Sequence, residues 1–223
     1  MGASAGGLAL VYRGPAAAPG CPEAVADLLR RSRWGLDVTY VGPREPLALG
    51  PDALARAVLY AQPGGGQLRP AYRRLRRHAR VIRDFVRGGG RYLGFCLGGY
   101  LAGRSPGFAL LPGDTDQYIA SPGASVADEA EALATVRWRG EPRRVYFQDG
   151  PYFALDPLRG PADVLAVYDN GLAAAVVAPY GDGAVGVSGP HPEASADWFA
   201  DAGLPHVGAQ DLGLQLLDEL MRR

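Results

Sequence analysis

The sequence predicts an α/β protein built on a parallel sheet with helices on both faces. Three observations carry this. Short apolar runs alternate with amphipathic stretches through the first hundred residues, the rhythm of strand–helix–strand units. The 223 residues include 32 Gly and 19 Pro with no repeating period, which punctuates many short elements rather than a helical bundle. Finally, 48% hydrophobic and 21% charged residues fall in the globular range and exclude wholesale disorder. The length suits one domain, residues 1–223.

The elements follow in order. Leu8-Ala9-Leu10-Val11-Tyr12 is an apolar run ended by Arg13-Gly14-Pro15, as in a buried strand. Pro22 opens a helix to about Arg31, with Cys21 at its cap position. Strands are expected at Leu36–Val41 and Val58–Ala61, the latter running into Pro63-Gly64-Gly65-Gly66. Tyr72–Arg87 reads as one helix whose apolar stripe is Leu75, Ala79, Ile82 and Val86. Gly88-Gly89-Gly90 stops it, and Arg91–Phe95 is a fourth strand. Five short strands follow, at Val136–Trp138, Val145–Gln148, Val164–Tyr168, Ala173–Ala178 and Val185–Ser188. Helices near Ala194–Ala202 and Asp211–Met221 close the chain, and Pro112–Ala132 reads as a long loop.

Composition removes several function classes. The 23 basic residues balance 23 acidic ones, which argues against nucleic-acid or membrane-surface binding through bulk charge. The arginines between Arg69 and Arg91 lie opposite an apolar stripe and read as a solvated face. Every basic residue is Arg, so lysine Schiff bases, P-loop lysines and lysine general bases are excluded. Two cysteines, Cys21 and Cys96, cannot build a disulfide framework or a cysteine-rich zinc site. Met1–Gly7 is uncharged, the run after it is too short for a signal-peptide core, and no stretch approaches the roughly 20 apolar residues of a membrane span. A cytoplasmic location is the expectation.

Gly94-Phe95-Cys96-Leu97-Gly98 is the sharpest feature. A strand runs into Cys96 and a helix is expected directly after it, the logic of a nucleophile elbow. Glycines permit the strained turn, and a helix N-terminus favours a thiolate. Of the three histidines, His78 falls on the arginine-rich face and His206 in a loop. His191 differs, because Gly189-Pro190-His191-Pro192-Glu193 directly follows a strand. In extended chain residues i and i+2 face one way, so Glu193 can orient the His191 ring toward Cys96. Backbone N–H groups at Gly65 and Leu97 are placed to hold an oxyanion. Such a site needs no metal and no organic cofactor.

These residues resemble a known family. Pro63-Gly64-Gly65, Gly94-Phe95-Cys96-Leu97-Gly98 and His191-Pro192-Glu193 are similar to the three signatures of class I glutamine amidotransferase-like proteins. The resemblance implies a flavodoxin-like three-layer sandwich, a mostly parallel central sheet and a Cys-His-Glu triad. A nearer resemblance is to the N-terminal amidotransferase-like domain of biotin–protein ligases and its stand-alone bacterial form. It rests on Val11-Tyr12-Arg13-Gly14-Pro15, Pro19-Gly20, Gly98-Gly99-Tyr100, Tyr146–Phe153 and Ser188–Glu193. Two departures stand out. Glutamine amidotransferases usually carry His-Gln where this chain has Gly99-Tyr100, and the protease-and-deglycase branch usually has His where this chain has Leu97. The residues after 193 are too few for a biotin-ligase catalytic domain, so biotin transfer by this chain alone is not expected.

The reading is a cysteine-nucleophile amide hydrolase or amide-transfer enzyme acting on a small amide or amino-acid-like molecule. A separate synthetase or biosynthetic partner could receive ammonia. Arg13, Gly66, Tyr100, Asp149 and Tyr152 are the candidates for holding substrate, Arg13 for a carboxylate and Asp149 for an ammonium. Two alternatives stay open: a non-catalytic binding or regulatory module, and a redox sensor acting through Cys96.

Overall fold

A computed structural model describes residues 6–223, so Met1–Ala5 of the uncharged N-terminal stretch lie outside the described residues. The elements run β1 (Leu8–Tyr12), α1 (Cys21–Arg31), β2 (Asp37–Val41), α2 (Pro51–Leu54), β3 (Ala57–Gln62), α3 (Leu68–Leu75), α4 (Ala79–Arg87), β4 (Arg91–Phe95) and α5 (Leu97–Ala102). They continue through β5 (Gly113–Gln117), β6 (Ala132–Trp138), β7 (Glu141–Phe147), β8 (Pro151–Leu155), β9 (Asp163–Tyr168), β10 (Ala173–Tyr180), β11 (Gly183–Ser188), α6 (Ala196–Asp201) and α7 (Gln210–Met221).

Nine strands form one sheet in the order β2-β1-β3-β4-β11-β10-β9-β6-β7. The first five are mutually parallel, and β10, β9, β6 and β7 extend the sheet antiparallel. Alternation along the strands sorts side chains to two faces. Ala9, Val11, Leu93 and Phe95 meet α1 and α7 on one side, whereas Leu10, Tyr12 and Tyr92 meet α2 to α5 on the other. A strand apolar at every position is what a sheet covered on both faces requires. Leu216 of α7 is fully buried in the first of these cores. Leu216→Ala should therefore cost about 2–5 kcal/mol, read as a lower urea midpoint at unchanged slope.

Three expectations need correction. The Tyr72–Arg87 helix is two helices, because Arg76–His78 forms a 3₁₀ turn between α3 and α4; the predicted stripe of Leu75, Ala79, Ile82 and Val86 is nevertheless buried. The segment after Pro112 is not simply a loop, since Gly113–Gln117 pairs antiparallel with Pro151–Leu155 in a separate two-stranded sheet. Cys21 is the first helical residue of α1, and Gly20 (φ 87°) is its cap.

Register decides where the chemistry can sit. β3, β4 and β11 are neighbours, with Gln62 beside Gly94 and Phe95 beside Ser188. The chain therefore leaves all three strands at one edge, and delivers Pro63–Gly66, Cys96 and Gly189–Glu193 to the same place. The carboxyl edge of a parallel sheet is where α/β folds bind ligands.

Candidate active site

Cys96 sits between β4 and α5 at φ 46°, ψ −104°. Side chains rarely adopt this conformation, and holding one there costs on the order of 1–3 kcal/mol. Its backbone is pinned, since the Cys96 N–H donates to Ser188 O at 2.8 Å and the Tyr100 N–H to Cys96 O at 2.9 Å. The sharp turn also requires Gly98, whose hydrogen faces the carbonyl of Gln62 where a Cβ would collide. Cys96 is 7% exposed, and its Sγ donates to Gln148 O at 3.4 Å.

His191 and Glu193 are 3% and 1% exposed, and His191 Nδ1 lies 2.8 Å from Glu193 Oε1. The pairing arises differently from the predicted extended segment. His191 forms a lone bridge with Tyr146, its N–H donating to Tyr146 O at 2.8 Å. The chain then turns, with the Ala194 N–H donating to His191 O, and this brings Glu193 back under the ring. Trp198 and Tyr146 stand edge-on to the imidazole with centroids 5.3 and 6.0 Å away. Burial alone would push the His191 pKa down, but the Glu193 charge, and then Cys96 as charge and hydrogen-bond neighbour, raise it to about 10.

Gly64 is the contact point of the two motifs. A Cβ there would lie 2.5 Å from His191 Cε1 and 3.4 Å from Cys96 Cβ. Gly64→Ala should displace the enclosed ring and slow acylation of Cys96 by p-nitrophenyl acetate by on the order of 10²-fold, measured as nitrophenolate release. The N–H groups of Gly65 and Leu97 have no hydrogen-bond partner among the described residues. Both residues line the same cleft as Cys96 and His191.

That cleft measures about 720 Å³. Of the residues expected to hold substrate, Gly66, Tyr100 and Asp149 line it. Arg13 and Tyr152 do not line it. Arg13 is clamped by Glu45 at 2.7 and 2.9 Å, reaches Glu23 at 3.3 Å and stacks 3.8 Å above Tyr40. Its charge is already answered, so the expected carboxylate contact has no free guanidinium. Tyr152 sits on β8 and packs against the core on the α1–α7 side of the main sheet. His78 accepts from Arg77 Nε at 3.0 Å, and His206 packs on Phe199, both away from the cleft.

Cys21, at the start of α1, lines the cleft with Cys96, and burial, reinforced by the Glu193 and Cys96 charges, pushes its thiol up rather than toward the thiolate. Several other cleft residues escape a sequence reading. Trp198 encloses His191, while Thr115, Asp116 and Gln117 arrive on β5 and Glu129 on the segment after it. Gln117 Nε2 donates to Asp149 Oδ1 at 2.7 Å. The only signal for the β5 residues is their polarity in a stretch close to the elbow.

Known proteins are similar to this chain in part of its sequence and in its fold. A family model described as biotin-protein ligase, N terminal, matches residues 8–116. No curated protein matches the chain. Among solved structures, a glutamine amidotransferase is 16% identical with a TM-score of 0.61, over 89% of this chain and 100% of that one. A glutamine amidotransferase from Thermotoga maritima is 17% identical with a TM-score of 0.59, over 97% and 95%. A β-galactosidase from Bacillus circulans shares the fold at 16% identity and a TM-score of 0.51, over 97% of this chain and 31% of that one. Fold alone therefore names no reaction. The chain has an α/β fold similar to that of solved glutamine amidotransferases, and over residues 8–116 it is similar to the N-terminal region of biotin–protein ligases.

Proposed function

We propose that this protein, as one amidotransferase-like domain, is a cysteine-nucleophile enzyme that cleaves or transfers a small amide through a thioester. The observation that carries the reading is the His191 ring, buried between Glu193 and Cys96 at the edge where three adjacent strands end. In the first step the Cys96 sulfur attacks the amide carbonyl carbon, and His191 takes the thiol proton, a transfer favoured by the raised proton affinity of its ring. The carbonyl oxygen becomes an oxyanion held by the N–H groups of Gly65 and Leu97. The intermediate collapses, the C–N bond breaks, and the amine leaves with the proton from His191. Water or a second amine, deprotonated by His191, then attacks the thioester and restores the thiol. Glu193 orients the ring and balances its charge throughout.

Tyr100, at the place where glutamine amidotransferases usually carry Gln, favours an amide other than glutamine. A cytoplasmic, reducing setting would keep both thiols free, as they are here. A partner synthetase remains compatible with the transfer branch, and a nucleic acid or membrane partner is not part of the reading.

The test is acylation by p-nitrophenyl acetate. A burst of nitrophenolate, with the mass of one acetyl group on the peptide holding Cys96, is the expected result. Acetyl on other residues alone, or no burst, would leave the binding-module reading in its place.

A further inference from the structure

The charges around the cleft are unevenly matched. Asp116, Glu129 and Asp149 line one wall, the first two exposed, and among the described residues the one guanidinium lining the cleft is that of Arg69, also exposed. Arg13, the sequence candidate for a carboxylate partner, is consumed elsewhere by Glu45 and Glu23. The Tyr100 hydroxyl is buried in this wall with no hydrogen-bond partner among the described residues. A buried hydroxyl left unpaired is destabilising, and a bound donor or acceptor would satisfy it. Asp149 is held at φ 47°, with one carboxylate oxygen fixed by Gln117. Burial and the Glu129 charge push the Asp149 carboxyl up, against the Gln117 hydrogen bond. Burial and then the charges of Asp149, Cys96, Asp116 and Glu129 push the Tyr100 hydroxyl up, so it stays protonated. Negative charge thus converges on one unpartnered hydroxyl beside the nucleophile.

From this arrangement we infer that the cleft selects a cationic amide, one carrying a protonated amine and no carboxylate, seated against Asp116, Glu129, Asp149 and the Tyr100 hydroxyl. The inference rests on the Cys96 reading and adds the class of substrate. An ammonium donates to carboxylates and to a phenol oxygen alike, which satisfies Tyr100 and relieves the crowding of negative charge. A zwitterionic amino acid such as glutamine would bring a carboxylate toward the acidic wall.

Charged thiol reagents test this without knowledge of the substrate. The trimethylammonium-ethyl and sulfonatoethyl methanethiosulfonates both form a mixed disulfide with Cys96 and release methanesulfinate. Their rate ratio at the Cys96 peptide is divided by the same ratio for free 2-mercaptoethanol, so changes in thiol reactivity cancel. The expected normalised preference for the cation is about tenfold or more at low salt, falling as salt is added. Asp116→Asn with Glu129→Gln should bring it toward unity. Arg69→Gln should raise it, an effect that misfolding cannot imitate. A wild-type ratio at or below unity, or a ratio unmoved by all three substitutions, would overturn the inference. The acylation burst is a separate readout, so a normal burst without charge preference would remove the cationic substrate and leave the nucleophile in place.

Discussion

Cys96→Ala should lose turnover by at least about 10³-fold while remaining folded, because removing a nucleophile takes away the step on which the rest of the site acts. The fold should tolerate the change. Cys96 is small, and its backbone is fixed by its own N–H bond to Ser188 O and by the bond from the Tyr100 N–H rather than by its sulfur. A second comparison separates function from stability. Cys96 is held at φ 46°, which alanine also resists and glycine accepts. Cys96→Gly should accordingly be more stable than Cys96→Ala by about 1 kcal/mol, while both are inactive. Urea titrations of the two variants check this. An active Cys96→Ala enzyme would remove the covalent mechanism.

His191→Ala should reduce acylation by p-nitrophenyl acetate about as severely as loss of the nucleophile, and Glu193→Gln by less, since Glu193 positions the ring without touching the reacting atoms. Residues that act as a unit are not additive, so the double variant should be little worse than His191→Ala. The same pair carries a pH signature. The folded His191 pKa is raised from 6.5 to about 10, so its contribution to stability is fully present below about 6.5 and disappears as pH rises through about 10. The melting-temperature gap between wild type and Glu193→Gln should shrink over that interval. A gap that widens with pH would reverse the assigned charge of the ring.

The parts of the site that a sequence exposes are those tied to local signals. β1 and β4 are legible to the residue, because each is an apolar run bounded by Gly or Pro. The elbow is legible because glycines flank a cysteine where a strand meets a helix. β5 is not, since Gly-Asp-Thr-Asp-Gln has no apolar alternation and is ordered by pairing with β8, a distant partner. For the same reason Asp116, on β5, is not legible as a neighbour of Asp149 and Tyr100, which the sequence does single out, until the fold brings them to one cleft. The break at Arg76–His78 has no Gly or Pro to announce it. Arg13 misleads in another way: its position at a strand end suggests a ligand contact, but Glu45, 32 residues away, takes it. His191 and Glu193 are paired as their spacing suggests, through a turn in place of an extended segment.

If His191 and Glu193 act on Cys96, the iodoacetamide labelling rate of Cys96 at neutral pH should depend on both. Wild type, His191→Ala, Glu193→Gln and the double variant are compared, with label read on the Cys96 peptide so that Cys21 does not contribute. Labelling should be fast in wild type, somewhat slower in Glu193→Gln, and much slower, by nearly equal factors, in His191→Ala and the double variant. Four equal rates would mean that neither residue influences the sulfur, and the triad would fall.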